Sequence, residues 1–195
     1  MKTMRLLAAF CLMSMTMAMA IATDETIELG SARISMDLSS VGSYSIEKGD
    51  LSSMDHKKPD FQYEITPVRI NVEGTQDKVQ LEVHQMSMSE PLEASISNKD
   101  PASGLEHCIE RSSLVPVGED IQTEPYTIDG YQGELATVND DPENPLYIVA
   151  YSPDQKDGLG TIVCIVSSDF SWEETKRLFD SIKTQVSLDA LQFSE

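Results

Sequence analysis

The chain has 195 residues and a net charge of −19, because 33 acidic residues outnumber 14 basic ones. This charge argues against nucleic acid and anionic membranes as partners, since both repel a strongly acidic surface. It favours basic proteins or weak surface binding of cations. The plainest explanation is solubility in a saline exterior.

The first residues have the pattern of a cleavable secretory signal, which we assign to residues 1–20. A short basic start precedes an apolar run that ends in Ala18-Met19-Ala20, a small-x-small pattern cut by signal peptidases. A second cut after Ala22 fits the same pattern. The alternative is an uncleaved anchor, but the uncharged stretch 6–22 is barely as long as the ~17–25 residues of a spanning helix. We therefore predict a secreted or extracytoplasmic protein without a stable membrane span after cleavage.

Residues 21–60 are predicted to form an N-terminal strand and a loop-rich segment. Apolar side chains alternate from Thr26 to Leu38, and the alternation changes parity at Gly30-Ser31, which indicates a β-bulge. The polar stretch that follows contains one short strand signal, at residues 44–47.

Residues 61–188 are predicted to form the core domain, and residues 189–195 a C-terminal tail. Asp129-Gly130 is a strong two-residue hairpin signal. The strand at 161–166 is apolar on both faces, so both faces should be covered. The predicted strands are 61–72, 78–86, 123–128, 131–138, 145–151 and 160–167.

Two helices are predicted to pack on these strands. The first begins near Asp100 or Ser103. The second begins at Ser171, where Glu174 completes a capping box. The first buries Leu105, Cys108, Ile109 and Ser112, and the second buries a stripe of Trp172, Thr175, Leu178, Phe179, Ile182 and Val186.

Strands in hairpin order with helices at two points predict an α+β fold with a mostly antiparallel sheet and helices packed on it. Four patterns between about residues 60 and 186 carry a family resemblance: Ile128-Asp-Gly130 with Gly133, Tyr147-Ile-Val-Ala-Tyr151, Trp172-Glu-Glu-Thr175 and Leu178-Phe-Asp-Ser-Ile182. In these patterns the chain resembles the PsbP-like α/β/α sandwich, named for an extrinsic photosystem II protein. The whole chain also resembles short exported archaeal proteins of unknown role. The first resemblance implies an accessory or binding module, and neither brings catalytic residues.

Cys108 and Cys164 are the two cysteines that remain after signal cleavage. In an exported protein such a pair predicts a disulfide, here between the first helix and a central strand. Two free buried thiols are the alternative.

His84, Met86 and Met88 alternate along one strand and its extension. Imidazole and thioether groups form a soft ligand set that suits copper outside the cytoplasm. A strand whose outer face is partly covered by the loop at 39–59 explains the same pattern without a metal. The acidic run 139–144 offers carboxylates for weak cation binding, although such a run is more often a solvated hairpin loop.

No catalytic constellation is visible in the sequence. Gly-x-Ser-x-Gly, His-Glu-x-x-His and phosphate-binding glycine loops are all absent, so we predict no cofactor and no enzymatic activity. The leading hypothesis is an exported acidic binding or accessory domain that contacts a protein or envelope partner. The alternative is a metal-handling protein that uses His84, Met86 and Met88.

Overall fold

The computed structural model describes most of the chain after residue 23. The predicted signal peptide, the acidic run 139–144 and the C-terminal tail lie outside the described residues. Within them, no helix is long and apolar enough to cross a membrane. The described ranges are 24–55, 61–88, 101–119, 121–138, 145–155 and 160–187.

The described residues form strands and two helices in the following chain order. The elements are β1 (Asp24–Leu29), β2 (Ala32–Asp37), β3 (Tyr44–Lys48), β4 (Ser52–Asp55), β5 (Phe61–Val72), β6 (Lys78–Met88), α1 (Pro101–Arg111), β7 (Ile121–Ile128), β8 (Tyr131–Val138), β9 (Leu146–Tyr151), β10 (Ile162–Ser168), α2 (Trp172–Ser181) and β11 (Lys183–Val186).

The strands form two sheets in which neighbouring strands are antiparallel. The large sheet has the order β3-β5-β6-β10-β9-β8-β7, and β4 pairs with the same edge of β5 as β3. The small sheet has the order β1-β2-β11. The α+β class with a mostly antiparallel sheet is therefore confirmed.

Both faces of the large sheet are covered. The small sheet and α2 pack on one face, which we call the front, and α1 packs on the other, which we call the back. Every residue of β10 is buried, which confirms the prediction for the strand that is apolar on both faces. Residues 24–55 contribute to the same front core through the buried side chains of Ile27, Leu29, Ile34 and Met36.

The start of α2 confirms the predicted cap. The Ser171 hydroxyl accepts a hydrogen bond from the backbone N–H of Glu174, and it donates one to the Glu174 carboxylate over 2.6 Å. Thr175, Leu178 and Phe179 are buried, as the stripe predicts. In α1 and just after it, Leu105, Ile109 and Ser112 are buried, as predicted, whereas Cys108 is only half-buried.

The predicted bulge at Gly30-Ser31 is wrong, because these residues form the turn of a hairpin. Leu29 pairs with Ala32, so two residues connect β1 to β2. Gly30 has φ 58°, and a positive φ at the first central position alone is the pattern of a type II′ turn. A two-residue turn changes the parity of a strand pattern just as a bulge does.

The prediction that Val186 extends the stripe of the last helix is also wrong. Helix α2 ends at Ser181, and the next residue, Ile182, adopts an extended conformation. The next four residues form β11, which pairs with β2. The segment around 52–55 likewise forms a strand, β4, that the sequence did not predict.

Pro67 and Gly49 explain why the edge of the large sheet is divided into β3 and β4. Pro67 lies on β5 between the residues that pair with β3 and those that pair with β4, and it has no N–H to donate. Gly49 donates its N–H to the Pro67 carbonyl over 2.9 Å. A Cβ at Gly49 would lie 2.7 Å from the proline ring, so only glycine fits there without displacement.

Candidate functional site

The predicted Cys108–Cys164 disulfide is wrong, because both cysteines are free and they lie on opposite faces of the large sheet. Cys164 belongs to the front core with Ile162 and Val166, whereas Cys108 packs on the back core. A disulfide requires Cα atoms ~4.4–6.8 Å apart, which is incompatible with a sheet between them. The chain therefore has the two free thiols that the sequence left as the alternative.

Burial makes both thiols poor nucleophiles. It raises the pKa of Cys108 to about 11 and the pKa of Cys164 to about 12. A hydrogen bond with Tyr151 acts in the opposite direction on Cys164 but is the smaller effect. Because the thiolate is the reactive form, neither cysteine has the properties of a catalytic or redox-active residue.

Alkylation tests the free thiols directly. We expect iodoacetamide to label both cysteines of the denatured mature protein without prior reduction, and to label the native protein far more slowly. Intact mass spectrometry counts the labels. If the denatured protein takes up two labels only after reduction, the two cysteines are bonded and the arrangement on opposite faces is wrong.

A buried polar cluster lies on the back face, on the strand that the sequence singled out for metal binding. Glu82 and His84 are 1% and 0% exposed, and the His84 Nε2 lies 2.8 Å from the Glu82 carboxylate. Ser113, in the turn after α1, donates its hydroxyl proton to the other carboxylate oxygen. Burial raises the pKa of Glu82, but the interactions with His84 and Ser113 together outweigh it, so the pKa is lowered from its ordinary value. These partners therefore favour the ionised form of a carboxyl group held inside the protein.

The structure brings two of the three predicted metal ligands to one face. His84 and Met86 both point to the back of β6, where Met86 is buried in the back core. The side chain of Met88 lies outside the described residues. Within the part of the chain that is described, no group of three or more His, Cys, Asp and Glu side chains is placed to hold a metal ion.

An open groove of 580 Å³ lies at one end of the small sheet. Three exposed side chains, Glu28, Arg33 and Gln185, stand side by side on adjacent strands, and the Arg33 guanidinium lies 2.6 Å from the Glu28 carboxylate. The hairpin turn and the last residues of β11 also line the groove. They are joined by a hydrogen bond of 2.9 Å from the Ser187 N–H to the Ser31 carbonyl. The lining residues are Glu28, Gly30, Ser31, Ala32, Arg33, Gln185, Val186 and Ser187.

The outer edge of β11 borders this groove. Ser187 donates its N–H toward β2. The N–H and C=O groups of successive residues in a strand point alternately to its two sides. The N–H and C=O groups of Val186 and Thr184 therefore point away from β2. The Thr184 N–H is bonded to the Asp129 carboxylate over 2.6 Å. The next outward peptide group belongs to Val186, one of the residues that line the groove.

Sequence reasoning named His84 but missed its buried partner Glu82, and it missed the groove. Glu82 alternates with apolar residues on β6, and such alternation is typical of an exposed face rather than a buried one. The groove was missed because the sequence pattern predicts one strand over β1 and β2 and predicts helix over β11. A signal for the hairpin was present, since a glycine where the alternation changes parity also fits a type II′ turn.

Comparison with known proteins adds no relative to this picture. No family model, no curated protein and no solved structure matches the chain.

Proposed function

We propose that the protein is an exported, non-enzymatic binding or accessory domain whose partner is a protein of the cell envelope or exterior. The PsbP-like resemblance gives the same expectation, because such domains mostly serve as accessory modules. The net charge of −19 favours a basic partner.

The observation that carries this proposal is the groove beside β11. It combines an open cavity of 580 Å³ with an outward-facing peptide group and with exposed charged and amide side chains. Groups that offer hydrogen bonds at an open surface are suited to recognition of another chain. By contrast, Glu82 and His84 are enclosed in the fold.

Site-specific crosslinking tests the groove as the binding surface. A photoreactive residue at Gln185 should give discrete adducts with an envelope fraction, whereas the same residue at Lys176, on the exposed side of α2, should not. Both positions are exposed and belong to the same region of the chain, so the pair controls for expression and labelling. Equal adduct patterns at the two positions, or none at Gln185, would contradict the proposal.

Export itself is tested by the mass of the mature protein. We expect the exported form to begin at Ile21 or Thr23, because signal peptidase should cut after Ala20 or Ala22. Cleavage removes two basic residues and no acidic ones, so the net charge changes from −19 to −21. Intact mass spectrometry of exported material distinguishes the two sites. Recovery of the uncut chain with membranes would instead identify residues 1–20 as an anchor.

Metal handling is the second candidate function, and the contact between Glu82 and His84 favours it. A histidine that binds a metal through one ring nitrogen commonly donates the other N–H to a carboxylate, which orients the ring. The His84 Nε2 lies 2.8 Å from the Glu82 carboxylate, which is the distance that such a contact requires. Met86 lies two residues further along the same face.

Copper(I) retention against a chelator tests this second candidate. The wild type should retain copper, His84→Gln should lose it, and His107→Gln should behave as the wild type, since the His107 side chain is 62% exposed on α1. Absence of copper in the wild type, or equal retention in both variants, would rule this function out.

A further inference from the structure

We propose that the groove binds an extended, positively charged segment of the partner, which adds to the outer edge of β11 as a fourth strand of the small sheet. This inference rests on the proposed function, because it specifies how the partner would be held. Strand addition requires a sheet edge whose peptide groups point outward and can be reached. The four sheet edges differ in this respect.

The β7 edge of the large sheet is closed by Pro125. The two-residue turn at Asp129-Gly130 makes Ile128 and Tyr131 a hydrogen-bonded pair. Along an antiparallel ladder, hydrogen-bonded pairs alternate with pairs that are not hydrogen-bonded to each other. Pro125 and Glu134, three pairs further along, are therefore a pair of the second kind. The nitrogen of Pro125 therefore points outward, where an added strand would need an N–H. Proline on an edge strand is a recognised way to prevent pairing with another chain.

The β1 edge of the small sheet is covered by β3. The Lys48 ammonium donates to the backbone carbonyl of Glu28 over 3.3 Å, and the Tyr44 hydroxyl donates to the Glu25 carboxylate over 2.9 Å. The edge formed by β3 and β4 is interrupted opposite Pro67, so an added strand could not pair with it continuously. Interrupted edges are poor templates for pairing.

Among the described residues, contacts protect the β11 edge over its first half only. Asp129 bonds the outward N–H of Thr184 over 2.6 Å and lies 3.0 Å from the Lys183 ammonium. Beyond this contact the edge reaches the groove at Val186. An incoming strand would meet the Val186 peptide group there, with Gln185 next to it on β11.

Charge defines the chemistry of the incoming segment. The two basic side chains next to this edge are each paired with a carboxylate, Arg33 with Glu28 and Lys183 with Asp129. A segment that approaches the groove therefore experiences the negative field of a chain with a net charge of −19. Lysine and arginine side chains on the segment would increase its association rate, and the effect would decrease with salt.

A peptide of alternating Lys and Val, about eight residues long, is the probe, because this length matches an ordinary strand. We expect it to bind the mature protein, with binding weakened by added salt, and we expect the Glu-Val counterpart not to bind. Val186→Pro removes the outward N–H, which has no partner among the described residues, and should weaken peptide binding by about tenfold or more. Val186→Thr keeps that N–H and should bind as the wild type. Fluorescence anisotropy measures each affinity, and circular dichroism verifies that both variants are folded.

A second measurement uses the unaltered protein, so it does not depend on the proline variant. The same peptide, N-methylated at alternate residues, cannot donate to the Val186 carbonyl and should bind about tenfold more weakly. Equal binding of the peptide to Val186→Pro and Val186→Thr would show diffuse electrostatic attraction and would overturn strand addition. Concentration-dependent dimerisation without peptide would assign the edge to a second copy and would overturn it as well. In these two cases crosslinks at Gln185 would still support the proposed function, whereas their absence would refute that function itself.

Discussion

Replacing Phe179 by alanine is expected to lower the free energy of unfolding by ~3–5 kcal/mol, the usual range for removal of a buried aromatic ring. Phe179 is 0% exposed and lies in the front core, between α2 and the large sheet. Its ring packs edge-on against Tyr126, with ring centroids 6.2 Å apart. The substitution would leave a cavity where the helix meets the sheet. Chemical denaturation of the mature protein measures the loss.

Lys176→Ala is the matched control on the same helix. The Lys176 ammonium lies 2.5 Å from Asp180, and both side chains are about half exposed. An exposed pair of this kind contributes little, so the free energy of unfolding should change by less than ~0.5 kcal/mol. If both substitutions give the same shift with an unchanged denaturant slope, α2 does not bury the face that the structure assigns to it.

The elements that the sequence predicted best are those whose signals are local. Ser171 and Glu174 define the start of α2 through side chains three residues apart, and Asp129-Gly130 defines a hairpin through two residues. Both central residues of that turn have positive φ, 50° and 84°, as a type I′ turn requires. Such features depend on the chain's own neighbours, so a sequence pattern suffices to predict them.

The elements that were missed depend on contacts between distant parts of the chain. Lys183–Val186 becomes a strand because β2, about 150 residues earlier in the sequence, offers it an edge. The helical stripe continues through Ile182 to Val186, so periodicity alone favoured a longer helix. Tertiary pairing outweighs that local preference, and no short-range signal reports it.

The disulfide prediction failed for a related reason. Sequence patterns assigned both Cys108 and Cys164 to buried faces, and this assignment was correct. They could not distinguish the two cores, because β10 is apolar on both sides and either side would accept a helix. Which side of the sheet each helix covers is decided by connections that the composition of a strand does not encode.

Gly133→Ala is expected to destabilise the protein by about 3 kcal/mol, the upper part of the usual range for overpacking. A Cβ at this position would lie 2.5 Å from the Ala150 carbonyl oxygen and 3.2 Å from the Tyr151 Cβ. The oxygen belongs to the backbone of β9, so it cannot turn aside as the end of a long side chain can. Strands β8 and β9 of the large sheet would have to separate at this point.

Gln132→Ala is the control that separates two causes of the loss of stability. The first is any substitution to alanine on β8, and the second is the close contact of a Cβ at Gly133 with β9. Gln132 is the preceding residue on β8, and its side chain is exposed, so its loss should change the free energy of unfolding by less than ~0.5 kcal/mol. For a domain of this size, a loss of about 3 kcal/mol lowers the melting temperature by roughly 6–12 °C. Thermal and chemical denaturation of both variants measure the difference. A Gly133→Ala protein as stable as Gln132→Ala would mean that β8 and β9 lie further apart at this point than the structure shows.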